Sequence, residues 1–160
     1  MPASEFLLRI ATAFILGCFV GFERQYRQKF AGLRTHTLVS LGSAAFVLLS
    51  ASLAAQEGGD PARIAAQIVS GIGFLGAGVI LKDGQSVRGL NTAASLWCSA
   101  SVGALAGAGL YLYAVVVAIA IILTHTLLRP LSLFIHGLPF SSSRSGFCEY
   151  TYTIRSDAES

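Results

Sequence analysis

Five apolar runs, at 6–22, 37–55, 62–81, 92–110 and 113–135, take up most of this 160-residue chain. About 20 apolar residues in a helix cross the ~30 Å of a bilayer's hydrocarbon core. The composition agrees, with 54% of residues hydrophobic and 12% charged, where soluble domains carry about 25% charge. Mean hydropathy is +0.67. The chain is therefore expected to be an all-α, polytopic membrane protein with about five transmembrane helices, the last broken near Arg129-Pro130. The first run is not read as a cleaved signal peptide, because no A-x-A-like site follows it and a second apolar run comes soon after.

Basic residues orient the spans. Arg24, Arg27, Lys29 and Arg34 follow the first run, Lys82 and Arg88 the third, and Arg129, Arg144 and Arg155 fall at the end of the fifth or beyond it. The opposite side has Arg9 and Arg63, near the acids Glu5, Glu57 and Asp60. By the positive-inside rule the amino terminus is periplasmic and the carboxyl tail cytoplasmic. The net charge of +3 then reflects topology and contact with the lipid bilayer's headgroups, not nucleic-acid binding.

Several chemistries are excluded. Gly71-Ile72-Gly73-Phe74-Leu75-Gly76 spells a dinucleotide fingerprint. Such a fingerprint needs a preceding strand and an acid about 20 residues on, yet Leu96 stands there and no acid follows Asp83 until Glu149. Cys18, Cys98 and Cys148 fit neither a zinc site nor a disulfide framework. All eight acids lie in loops, at span edges or in the tail, so no span offers the carboxylates that hard cations favour. No Ser/His/Asp, Cys/His or paired-carboxylate constellation is apparent. The expectation is no enzyme, no cofactor and no metal.

Residues 1–137 read as a transmembrane domain and 138–147 as a linker rich in Ser, Pro and Gly. Alternation over 149–154 reads as the first strand of an incomplete cytoplasmic domain at 148–160. Asp60-Pro61 is an N-cap followed by proline at the first helical position. Asn91 is placed to cap the fourth span. Small residues recur four apart at Ala13, Gly17 and Gly21, and at Ser95, Ser99, Gly103 and Gly107; Gly73 with Ala77, and Gly76 beside them, do the same in the third. Such stripes let membrane helices approach closely. Packing within the chain is one use and a homodimer seam another, for whichever stripe faces lipid.

The polar residues near the spans are the candidate sites. Arg63 and Gln67, one turn apart on a face shared with Ser70, read either as snorkelling and an interhelical hydrogen bond or as a polar pocket entered from outside. His125 is a titratable group within a span, where a lone histidine serves more often as a helix-to-helix hydrogen bonder than as a proton relay. Glu23-Arg24, Arg34-Thr35-His36 and Arg88 to Thr92 can converge at one cytoplasmic level. Lipid phosphate contact is the plain account of these arginines. A binding site for a partner or ligand, including Asn91, is the functional one.

Two long blocks, GFERQYRQKFAGLRTHTLV and PARIAAQIVSGIGFLGAGVILKDGQSVRGLNTAASLWCSASVG, closely resemble the MgtC/SapB family of bacterial inner-membrane proteins. The resemblance covers about 6–107. It implies a compact polytopic domain followed in many members by a small cytoplasmic βα domain of ACT-like type. It also implies a non-enzymatic virulence factor for growth in low magnesium and survival in macrophages. Such a factor acts on the proton-driven ATP synthase, P-type ATPases or small hydrophobic peptides. The family's functional asparagine matches Asn91, and its AGLRT and RIAAQ segments match Arg34 and Arg63 with Gln67. The reading is a regulator that binds membrane proteins; the alternative is a transporter or channel for Mg²⁺ or another small ion.

Overall fold

The computed structural model describes residues 1–57, 60, 62–84 and 86–137, with Glu57, Asp83 and the last nine described by their backbone. The expected linker at 138–147 and strand at 148–160 lie outside the described residues. Five helices form: α1 (Ala3–Tyr26), α2 (Leu33–Glu57), α3 (Ala62–Val79), α4 (Leu90–Gly107) and α5 (Tyr111–Gly137). Each apolar run corresponds to one of them. At the start of α3 the Asp60 side chain accepts from the Ala62 N–H at 2.8 Å, satisfying a donor that the first helical turn cannot bond internally.

Among the described residues four helices, α1, α2, α3 and α5, are long and apolar enough to cross a membrane. The fifth, α4, has 18 residues but includes Asn91, Thr92, Ser95, Ser99 and Ser101. It touches each of the other four helices, and Thr92, Ser95 and Ser99 are buried. Its polarity is turned inward, where hydroxyls find partners on neighbouring helices.

Two expectations are corrected. Pro130 does not end α5, which is helical from Tyr111 to Gly137; membrane helices tolerate proline where neighbouring groups satisfy the freed carbonyl. The chain is also not wholly α, because β1 (Leu81–Asp83) pairs antiparallel with β2 (Ser86–Arg88). The register pairs Asp83 with Ser86, so Gly84 opens the turn, with the positive φ of +59° that favours glycine there.

The bundle is held by close approach of small residues. One core cluster joins Ala13, Ala44, Ala106 and Ala114, and a second joins Val20, Val102, Ala118 and Ile121. A Cβ on Gly17 would lie 2.9 Å from Ser40 Cβ. One on Gly103 would overlap the Ser40 backbone carbonyl, and one on Gly107 would lie 2.7 Å from the Ala44 carbonyl oxygen. Thus α2 is gripped between α1 and α4 at Ser40, whose hydroxyl donates to the Ala13 carbonyl at 2.8 Å. By contrast α3 is peripheral, with only Ile72 and Gly76 buried, and Phe74 is 82% exposed.

Candidate functional site

The last turn of α1 meets the first turns of α2 and α4 at one end of the bundle, and a polar cluster is enclosed there. Arg24 is only 2% exposed, and its Nη2 donates to Thr92 Oγ1 at 3.0 Å. Its buried Nε has no hydrogen-bond partner among the described residues. Glu23, beside it, forms an ion pair with Arg27 one turn on. Arg24 is therefore not the lipid-phosphate contact that its place near a helix end implied. Burying a guanidinium without a paired carboxylate is costly, so Arg24 is a specified feature of the interior.

Two histidines line the same seam. His36 is 0% exposed, with Nδ1 2.7 Å from Ser99 Oγ and Nε2 buried and unpartnered. His125 reaches across from α5, its Nε2 2.9 Å from Ser95 Oγ. The Ser95 hydroxyl donates to the Asn91 carbonyl at 2.7 Å, so toward His125 it accepts, and the imidazole proton sits on Nε2. Thr92, Ser95 and Ser99 thus bind a residue from α1, α5 and α2 respectively. The sequence placed His36 with Arg34 and Thr35 at the start of α2 but did not set it apart from them as the buried member, paired with Ser99. Its spacing of four from Ser40, matching Ser95 and Ser99 on α4, was the available signal.

The other candidates are dispersed. Arg34 and Thr35 are exposed on the first turn of α2, Arg88 is exposed at the end of β2, and Asn91 is exposed on the first turn of α4. Asn91 does not cap α4. Gly89 holds that position, at φ +91° and with no side-chain cap bond, and its carbonyl accepts from the Ala93 N–H at 2.9 Å. A Cβ on Gly89 would overlap the Val79 carbonyl, so the hairpin's return onto α3 dictates both glycine and helix start. The Asn91 side chain makes no hydrogen bond among the described residues.

At the opposite end, Arg9 Nη1 donates to the Gly107 carbonyl at 2.9 Å and pairs with Glu5, satisfying the end of α4. Arg63 and Gln67 are exposed on α3 and line a pocket of about 350 Å³ with Ser50 and Asp60. Of the small residues expected at helix contacts, Gly17, Gly21, Gly103 and Gly107 lie against neighbouring backbone, and a Cβ on Gly76 would lie 3.6 Å from Ala93 Cβ, an ordinary contact. Gly73 faces open space. Among the described residues no three His, Cys, Asp or Glu side chains are grouped to hold a metal.

A multi-pass helix bundle sealed by glycine contacts, with a buried Arg-His-hydroxyl seam in its interior, is the class of membrane protein defined here. The chain belongs to the MgtC family, which it matches over residues 10–134. It is 53% identical over 153 residues to Protein MgtC of Brucella abortus (strain 2308), covering 96% of this chain and 62% of that protein. With Protein MgtC of Salmonella typhimurium (strain LT2) it shares 50% identity over 137 residues, covering 86% and 58% respectively. The chain thus spans about three fifths of the length of the curated relatives it matches. No solved structure matches it significantly.

Proposed function

We propose that this chain is a non-enzymatic regulator in the bacterial inner membrane that acts by binding other membrane proteins. Its amino terminus is periplasmic and its carboxyl tail cytoplasmic. The role is adaptation to low magnesium and survival inside macrophages, and the partners are the membrane part of the proton-driven ATP synthase, P-type ATPases or small hydrophobic peptides. The supporting observation is the idle amide of Asn91. It is exposed and Gly89 takes the capping position, so its donor and acceptor are available to a partner. Exposed Arg34, Thr35 and Arg88 lie at the same end of the bundle.

Purification from native membranes in mild detergent tests the proposal. Wild type is expected to retain a membrane-protein partner that Asn91→Thr loses, with both bundles melting alike. Saturable Mg²⁺ uptake by the pure protein in liposomes overturns the regulator in favour of the transporter.

A further inference from the structure

Between α2 and α3 runs a groove of about 450 Å³, within the roughly 300–1,000 Å³ of small-ligand sites. Its walls are apolar, with Leu38, Val39 and Phe46 from α2 and Ile68 and Leu75 from α3. Ile72 and Ser43 are the buried members of its lining. Two glycines keep it open, one on each helix: a Cβ on Gly42 or on Gly71 would meet nothing within 4 Å. Ile64 and Gln67 line both this groove and the polar pocket of Asp60 and Arg63. The two spaces therefore adjoin, an apolar slot leading to a charged mouth at the start of α3.

The mouth carries one charge of each sign. Arg63 is exposed and makes no ion pair among the described residues, and the Gln67 amide one turn on adds donors. One oxygen of the Asp60 carboxylate accepts from the Ala62 N–H, and the side chain is exposed. An apolar slot ending in a separated cation and anion complements an apolar chain ending in a zwitterion. A transmembrane helix, ~10–12 Å across with its side chains, would cover the slot without using the charge pair.

We propose that this groove binds one aminophospholipid, an acyl chain lying between Gly42 and Gly71, its phosphate on Arg63 and Gln67, and its primary ammonium facing Asp60. A primary ammonium donates to a carboxylate, whereas a choline headgroup has no N–H and a glycerol headgroup no positive charge. The guanidinium supplies the charge-assisted contact to phosphate.

Native mass spectrometry of the whole chain tests this, after equilibration in vesicles of equimolar phosphatidylethanolamine, phosphatidylglycerol and phosphatidylcholine. One phosphatidylethanolamine per chain is expected to be retained, about tenfold above the other two lipids. Arg63→Gln is expected to lower that retention about tenfold. Asp60→Asn, which preserves a good cap, should abolish the preference for phosphatidylethanolamine over phosphatidylglycerol. Gly42→Leu and Gly71→Leu fill the slot from opposite walls, and either one that melts like wild type should lose the bound lipid. Equal retention of all three lipids means annular lipid only and overturns the proposal. Unchanged retention in Arg63→Gln, or in a folded leucine variant, overturns it too.

Discussion

Arg24 Nη2 on α1 donates to Thr92 Oγ1 on α4 across 3.0 Å, joining residues 68 positions apart inside the bundle. This contact binds the first helix to the innermost one and takes a cation out of reach of lipid headgroups. Around it, His36 with Ser99 and His125 with Ser95 repeat the arrangement from α2 and α5. One helix of hydroxyls therefore holds three others.

Thr92→Val keeps the shape and removes the acceptor. Because a hydrogen bond to a charged group is strong while bonds within membranes are worth less than hoped, a loss of about 1–2 kcal/mol of bundle stability is expected. Reversible detergent unfolding measures it. In an Arg24→Met background the same change should be nearly silent; an undiminished cost there would show that Thr92 acts independently of Arg24.

Gly103 and Gly73 make opposite predictions for the same substitution. Gly103→Val drives a side chain into the Ser40 carbonyl, whereas Gly73→Val enters open space. Overpacking of this kind forces backbone shifts. The first variant is expected to lose most of its monodisperse folded protein on size-exclusion chromatography, and the second to match wild type. Equal yields would remove the α2–α4 contact from the account of assembly.

Asn91→Ala and Asn91→Thr should both leave stability within about 0.5 kcal/mol of wild type, as surface changes do, since no cap is lost. Both are expected to insert at normal abundance and fail to support growth in low magnesium. Full complementation by either variant would show that the amide has no partner.

Cysteine labelling of intact cells checks the proposed orientation, in a background lacking Cys18, Cys98 and Cys148. A thiol at Gln56 should react with a membrane-impermeant reagent and one at Gln28 should not. The reverse pattern inverts the topology and places Asn91 on the periplasmic side.

The approximate position of each helix was legible in the sequence, because an apolar run is a local property of the chain. So was the Asp60 cap, which bonds a residue two positions away. What the sequence left undecided was which residues of one kind lie inside. Arg24 and Arg34 read alike at helix ends, and only the approach of Thr92 on α4 encloses the first while the second stays exposed. Gly73 and Gly103 occupy similar small-residue stripes, yet α4 meets α2 backbone at Gly103 and nothing meets Gly73. Asn91 looked like a cap until the hairpin brought Gly89 against Val79 and set the start of α4. Each of these distinctions depends on contact between segments far apart in the chain, which composition and spacing along one helix do not encode.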